Sequence, residues 1–278
     1  MFNPWWKMTT RTLLLLDGAN LMQRARFASR RNLKGGHWSI VYSFFRSLRP
    51  LVEKFQPQKI VLALEGRPVR RLEMHEGYKA NRTYDDSDDY GEQRRVILDL
   101  LRHLPIDVVR HPEREADDVI GYFALRGDWD RRVVVSSDTD FIQLINADRR
   151  CEVYNPIAKK MRNAPCDDYV GWKALVGDNS DNIAGFKGVG NKTALKMIED
   201  RKKLLEFLEK KSGHEKYEQN RSLIQFEQLD INDVEHSTGV AEWDHLYERF
   251  EGLGFWSMIN KTAWPKYVKT FEGVENDR

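Results

Sequence analysis

The sequence predicts an α/β fold with a mostly parallel sheet flanked by helices, and three observations predict it. Strand-like apolar runs at 12–16, 59–64 and 133–137 alternate with helical patterns near 38–55, 92–103 and 116–126, the signature of βαβ units. Each apolar run ends in an acid or leads into a short acidic cluster. Right-handed crossovers put the carboxyl ends of such strands, and so their acids, along one edge of the sheet.

In order along the chain, Leu13-Leu14-Leu15-Leu16 ends in Asp17, and Ile60-Val61-Leu62-Ala63-Leu64 ends in Glu65. Glu115-Ala116-Asp117-Asp118 opens the helical pattern at 116, and Val133-Val134-Val135-Ser136-Ser137 leads into Asp138-Thr139-Asp140. Gly177-Asp178-Asn179-Ser180-Asp181-Asn182 supplies two more acids. The polar connection at 66–91 is longer than an α/β unit needs, and connections of that length are usually functional. From about 165 the pattern changes to short helices, expected at Asp168–Val176, Asn191–Glu199, Lys203–Lys211 and Glu218–Gln228, with a loose tail after Val268. The chain is therefore divided into a catalytic α/β part, 1–164, and a helical part, 165–278.

The chain has 278 residues, enough for one large core, and 41% hydrophobic residues place it among globular proteins. Its net charge is only +2, but Arg24, Arg26, Arg30, Arg31, Lys34, Arg46 and Arg49 fall in a stretch, 21–50, with no acid. Basic residues also outnumber acids between Glu65 and Arg82. Basic segments beside acidic clusters suit a polyanion held by one surface and cut at another. Cys151 and Cys166 are isolated, which argues against a zinc site or disulfide framework and for a reducing compartment. No apolar run is long enough for a membrane span. The pair Trp5-Trp6 has no assigned role beyond local packing.

So many converging carboxylates repel one another unless cations lie among them. An oxygen-only donor set suits Mg²⁺ or Mn²⁺. Asp17, Glu65, Glu115 and Asp117 are expected in one nest, and Asp138, Asp140, Asp178 and Asp181 in another, one ion to each. Two such ions stabilise the attacking and leaving oxygens of a phosphoryl displacement. Singly, any of these acids could be a cap or turn residue; eight such coincidences are improbable. The stretch Gly185-Phe186-Lys187-Gly188-Val189-Gly190-Asn191-Lys192-Thr193 is neither a P-loop nor a dinucleotide fingerprint. It fits a hairpin between helices that brings backbone amides, Lys187, Lys192 and Lys196 to a phosphate, reading backbone and not sequence. Lys79 and Arg82, three apart, are expected on one helical face, preceded by Arg67, Arg70 and Arg71. Cations there could stabilise a scissile phosphate.

The order Asp17-Gly-Ala-Asn20, Glu65-Gly, Tyr78-Lys-x-x-Arg82, Glu115-Ala-Asp-Asp118, Ser137-Asp-x-Asp140, Gly177-Asp-x-Ser-Asp-Asn182 and Gly188-Val-Gly190 resembles the 5′-nuclease (flap endonuclease) superfamily over residues 11–235. The likeness is greatest to bacteriophage 5′–3′ exonucleases and the 5′-nuclease domain of bacterial DNA polymerase I. The resemblance implies a PIN-like core, a helical arch at about 66–91 and a helix-three-turn-helix at about 177–200. It implies metal ligation by Asp17, Glu115, Asp117, Asp118, Asp138, Asp140, Asp178 and Asp181, with Glu65 where the family usually has Asp. It implies phosphate contacts by Lys79 and Arg82, and DNA contacts by Arg67, Arg70, Arg71, Lys187, Gly188, Gly190, Lys192 and Lys196, in this family often with a K⁺ ion at the hairpin. The implied activity is Mg²⁺-dependent 5′–3′ exonuclease or flap endonuclease action in replication or primer removal. The expected substrate is DNA with a 5′ end, flap or nick junction, or an RNA–DNA hybrid. The protein is expected as a monomer in the cytoplasm, the host's if phage-encoded. Thr83-Tyr84 and an acidic run stand where the family has a Pro-rich stretch. The alternatives are a DNA-structure-binding module whose catalysis has lapsed, a PIN-like ribonuclease, and a phosphatase built on Asp138 and Asp140.

Overall fold

A computed structural model of the chain describes residues 10–30, 36–82 and 88–275. The chain enters through β1 (Thr12–Asp17), α1 (Gly18–Ser29), α2 (Ser39–Phe55) and β2 (Lys59–Leu64), followed by α3 (Val69–Met74) and α4 (Asp88–Leu101). Then come β3 (Asp107–Arg110), α5 (Ala116–Ala124), β4 (Arg131–Val135), α6 (Ile142–Ala147), β5 (Cys151–Asn155) and β6 (Lys160–Met161). The helical region follows with α7 (Tyr169–Val176), a small hairpin of β7 (Gly177–Asp178) and β8 (Ile183–Ala184), then α8 (Asn191–Glu199), α9 (Arg201–Lys210) and α10 (His214–Ile224). The described chain ends with β9 (Glu235–Thr238), α11 (Trp243–Gly252), α12 (Trp256–Ile259) and α13 (Ala263–Phe271).

Among the described residues the main sheet runs β6-β5-β4-β1-β2-β3-β9, with β5, β4, β1, β2 and β3 parallel and both edge strands antiparallel. β1 and β2 are buried along their whole length, as strands covered on both faces must be. Side chains alternate between the two layers. Leu14, Leu16, Ile60, Leu62, Val133 and Val135 face α1, α2, α4 and the terminal helices. Leu13, Leu15, Val61, Ala63, Val134 and Val153 face α5 and α6. The register pairs Asp17 with Ala63 and Leu16 with Val135, so Glu65 and Ser136–Asp138 lie just past the strands that flank Asp17. Gly18 makes that edge possible: a Cβ there would lie 2.6 Å from the Ala63 carbonyl oxygen.

The structure differs from the sequence reading in several places. β3, β5, β6 and β9 lack the long apolar runs by which β1, β2 and β4 were read. The segment after 165 is not all helical, because β9 pairs with β3 and returns the chain to the α/β layer. The tail is not loose at 268, since α13 continues to Phe271, which is 1% exposed and packs in the same core as α2. The connection 66–91 contains α3 and the start of α4. Its 83–87, which include Thr83, Tyr84 and most of the acidic run, lie outside the described residues, as do Arg31, Lys34, Trp5 and Trp6.

Phe250 is fully buried against Phe45, Phe255, Trp264 and Tyr267. Phe250→Ala should lower the unfolding free energy by about 3–5 kcal/mol. Equilibrium denaturation followed by tryptophan fluorescence measures it, and a loss far smaller would mean that α11 is not part of the main core.

Candidate metal centre and phosphate-contact residues

Asp17 is the side chain around which the edge is assembled. Its Oδ1 accepts from the Asn20 amide at 3.0 Å, and its Oδ2 accepts from Ser136 Oγ at 2.7 Å. Asn20 continues the seam by donating from Nδ2 to Ser137 Oγ and accepting the Ser137 amide. Ser136 Oγ also accepts the Asp138 amide at 3.0 Å, and Asp138 Oδ1 accepts the Asp140 amide at 2.9 Å. The β4–α6 loop is thereby folded so that Asp138 stands near Asp17. On the other flank, Glu65 Oε2 accepts the Ala116 amide at 3.1 Å, fastening the end of β2 to the N-terminus of α5. An acid at that helix end is favoured by the exposed amides of the first turn.

The carboxyl groups sense one another. Burial pushes Asp17 up to about 6 and Asp138 adds to the shift, while the Asn20 amide, Ser136 and Lys79 oppose it. Burial, followed by Asp17 and Glu115, pushes Glu65 up to about 7. Asp117 stands well above the usual carboxylate range, through burial first and then Asp138, Asp17 and Glu65. In a second group, Asp140, Asp178 and Asp181 each offer an oxygen within 4.8 Å of the others. Burial pushes Asp140 up to about 6 against the pull of Lys173, with Asp138 and Asp178 adding to the rise. Burial also acts to raise Asp178, but Lys173 and Ser180 overcome it and leave that carboxyl below its ordinary value.

The expected division into two nests changes in membership. Asp138 acts on Asp17 and Asp117 as well as on Asp140, so it stands between the groups, because the Ser136 and Asn20 contacts draw its loop toward β1. Glu115 turns toward a set of cations. Its carboxylate accepts from Lys79, from Arg71 at 2.7 Å and from the Tyr78 hydroxyl at 2.8 Å. Asp118 is not an open ligand. It is 0% exposed, and its oxygens accept from Arg71, from the Glu115 amide and from the Glu227 amide. Adjacent helix positions point in different directions, so Asp117 faces the other acids while Asp118 faces the core.

The cations also depart from expectation. Lys79 and Arg82 do not lie on a helical face: α3 ends at Met74, and Tyr78–Arg82 forms a turn with Lys79 at φ +54°. That turn is sewn to the 179–182 loop. The Lys79 amide donates to the Asp181 carbonyl, Asn81 Nδ2 to the Asn179 carbonyl and Asn182 Nδ2 to the Gly77 carbonyl. Both side chains nevertheless reach the acids. Lys79 pairs with Glu115 and lies 3.8 Å from Asp181, and Arg82 pairs with Asp181. Arg71 is not on the surface, being 2% exposed beneath the acids. Arg67 and Arg70 are exposed, the latter 3.8 Å from Glu227.

Lys187, Gly188, Gly190, Lys192 and Lys196 are all exposed along the turn that enters α8. Gly188 has φ +83°, a conformation costly for other residues, and Gly190 is the residue before the helix. The α8 amides and three lysines therefore share one accessible edge. Sequence reasoning missed Lys173, which is 7% exposed and pairs with Asp140 and, at 2.5 Å, with Asp178. Burial alone would lower its pKa, but Asp140, Tyr169 and Asp178 hold it above the ordinary value. Its signal was present, as a single charge inside the apolar helix Tyr-Val-Gly-Trp-Lys-Ala-Leu-Val. The Tyr78 hydroxyl, which donates to Glu115 and Asp181, and Ser136 were missed as well.

Crowded carboxylates with raised pKa values and only oxygen donors fit divalent ions. Bound ions would supply the positive charge this edge lacks.

The family model described as the N-terminal resolvase-like domain of 5′-3′ exonuclease matches residues 12–170, and that described as the C-terminal SAM fold of 5′-3′ exonuclease matches residues 164–234. DNA polymerase I of Streptococcus pneumoniae is 32% identical over 212 residues, spanning 69% of this chain and 24% of that protein. The thermostable DNA polymerase I of Thermus filiformis is 31% identical over 198 residues, or 67% of this chain and 23% of that protein. The chain thus spans about a quarter of the length of these curated relatives. Among solved structures, a flap endonuclease of bacteriophage T5, in a complex with DNA and metal ions, is 19% identical with a TM-score of 0.63, covering 94% of this chain and 98% of that one. Flap endonuclease-1 from Methanococcus jannaschii is 16% identical with a TM-score of 0.60, covering 94% and 92%. At such identities the likeness is one of fold.

The raised carboxyl values set a pH dependence. Between the unfolded carboxylate range near about 4 and the folded values of about 6 to 7, the folded protein binds more protons than the unfolded chain. Stability without divalent ions should therefore fall as pH rises through that window. In EDTA the unfolding midpoint should drop between about pH 5 and pH 8, Asp117→Asn should flatten part of the slope, and Mn²⁺ should abolish it. A midpoint in EDTA that stays level or rises over this range contradicts the assigned crowding.

Proposed function

The chain belongs to the 5′-3′ exonuclease family of nucleases, and from that premise we propose that it is a divalent-metal-dependent, structure-specific 5′-nuclease. Its substrate is DNA with a 5′ end, flap or nick junction, or an RNA–DNA hybrid, and its role is clearing such ends in replication or primer removal. The observation that carries the reading is the gathering of Asp17, Glu65, Asp117, Asp138, Asp140, Asp178 and Asp181 at one sheet edge, next to a turn bearing Lys79 and Arg82. The DNA and metal ions in the phage T5 complex support it by analogy of fold.

In this reading Asp17, Glu65, Asp117 and Asp138 would hold one Mg²⁺ and Asp140, Asp178 and Asp181 a second, with Mn²⁺ able to substitute and Glu115 contributing to the set. Such ions, when bound, would supply charge neutralisation and activation of the attacking water. The protein's own part is to hold the acids in register through the Asn20, Ser136 and Ala116 contacts. Lys79 and Arg82 meet the scissile phosphate and offset charge as it develops on the phosphoryl oxygens. Lys173 keeps Asp140 and Asp178 ionised and close together. The α8 turn, with Lys187, Gly188, Gly190, Lys192 and Lys196, holds the duplex backbone at a distance, with K⁺ as a candidate ion there. The enzyme acts as a monomer in the cytoplasm.

A 5′-labelled flap duplex tests the proposal. Cleavage should require Mg²⁺, vanish in EDTA and fall at least about a hundred-fold in Asp181→Ala, since this removes an ion-facing acid. Cutting that persists in EDTA would exclude the ion mechanism, and tight binding without cutting in any divalent ion would favour the lapsed binding module. Lys79→Ala should slow single-turnover cleavage far more than it weakens binding. Lys192→Ala should do the opposite, lowering affinity and reducing the salt slope by about 1. A wild-type cleavage rate in Lys79→Ala would remove that residue from the phosphate.

A further inference from the structure

Arg71 lies in a short helix that precedes the Lys79 turn, in a segment rich in exposed arginines, yet its guanidinium is sealed and fully used. Nε donates to the Leu223 carbonyl at 2.9 Å. Nη1 donates to Glu115 Oε2 and Asp118 Oδ2, both at 2.7 Å. Nη2 donates to Asp118 Oδ1 at 2.7 Å and to the Gln225 carbonyl at 3.1 Å. An arginine has five N–H donors, and these bonds take all of them. Asp118 of α5, Glu115 just before that helix, and two carbonyls at the end of α10 are thus gripped by one planar group.

We propose that Arg71 is a positioning residue for the hydrolytic site: it fixes which oxygen of Glu115 is presented to the ions, and it locks the end of α10 to the start of α5. The inference rests on the reading of Glu115 as an acid of the ion site. Arg71 and the Tyr78 hydroxyl both donate to Oε2. Oε1, which Arg71 does not hold, pairs with Lys79, so it is the oxygen that an ion would share. The partner that orients a ligand is as much a part of the site as the ligand. Lysine cannot reproduce the grip, since a single ammonium cannot span a bidentate acid, a second acid and two carbonyls on opposite sides. Nothing in this arrangement leaves Arg71 a donor for DNA.

The test is Mn²⁺ binding to the DNA-free protein, followed by electron paramagnetic resonance, for wild type and Arg71→Lys. Steady-state cleavage of a flap duplex and the unfolding midpoint in EDTA are measured beside it. Positioning predicts that Arg71→Lys weakens Mn²⁺ binding by about ten- to a hundred-fold and lowers kcat similarly while KM for the duplex holds. A lower midpoint with unchanged Mn²⁺ affinity would make Arg71 merely structural, and a change confined to KM would make it a DNA contact; either overturns the proposal. If Arg71→Lys does not fold, Asp118→Asn decides, because it weakens the bidentate anchor of Arg71 and leaves Glu115 and the ion-facing acids themselves unchanged. Weaker Mn²⁺ binding there supports the proposal and unchanged binding overturns it. Wild-type protein that binds no Mn²⁺ would instead sink the ion-site reading itself, a failure separate from wild type that binds and a variant that binds equally well.

Discussion

Like charge confined to a small, partly dry space is the constraint on which the rest of this structure depends. Seven carboxylates share one edge of the sheet, and several are held far enough from water that their proton affinities rise. Left alone, such a group would protonate, splay apart or unfold. The protein's answer is a ring of cations and donors that enter from outside the strands. Lys79, Arg82 and Lys173 pair directly with acids, Arg71 grips two from beneath, and Asn20, Ser136 and Ala116 supply neutral donors. The compensation is partial, because Asp17, Glu65 and Asp117 keep raised values in spite of Lys79. In the function proposed above, that residual imbalance is what divalent ions would offset.

The sheet serves this arrangement by its order. β1 lies between β2 and β4, so the three strand ends richest in acids are neighbours, and the parallel register sets Asp17 level with Ala63 and one residue past the Val135 partner. Glu65 illustrates how a side chain one methylene longer than Asp is absorbed. Its outer oxygen reaches back to the Ala116 amide, tying the end of β2 to the α5 helix while the group still senses Asp17. The extra length is used for an anchor.

The parts of the site legible in the sequence were those set by strand periodicity. Asp17, Glu65, Asp138 and Asp140 follow apolar runs whose direction and neighbours are dictated by βαβ topology, so their convergence could be read from order alone. What failed depended on rotation and packing. Asp117 and Asp118 are equivalent in composition, and only the orientation of α5 about its axis decides that one faces acids and the other Arg71. Arg71 looked like a surface residue because it sits among exposed arginines; its burial is decided by α10, where Leu223 lies 152 residues further along the chain. The Lys79 turn was misread as helix because its positive φ falls on a lysine, without the glycine that usually announces such a bend. β9 was invisible because all four residues are exposed and carry no alternating apolar pattern.

The pattern of compensating cations also bears on where the chain divides. By sequence the two matched segments meet between 164 and 170, which suggests two separable units. The electrostatics say otherwise. Asp140 belongs to the first segment and its cation, Lys173, to the second, while Arg71 belongs to the first and two of its acceptors, Leu223 and Gln225, to the second. Separating the segments would strip a buried acid of its partner and leave a buried guanidinium short of two acceptors, and uncompensated buried charge is among the most costly states a protein can adopt. Gln143 adds a neutral stitch of the same kind, donating to the Ile224 carbonyl and accepting the Phe226 amide. Asp17, Glu65 and Asp138 are held by contacts within the first segment, but Asp140 keeps its cation and Arg71 keeps all its acceptors only when the helical segment is docked, so the cohesion of the two segments and the balance of charge at this edge are coupled.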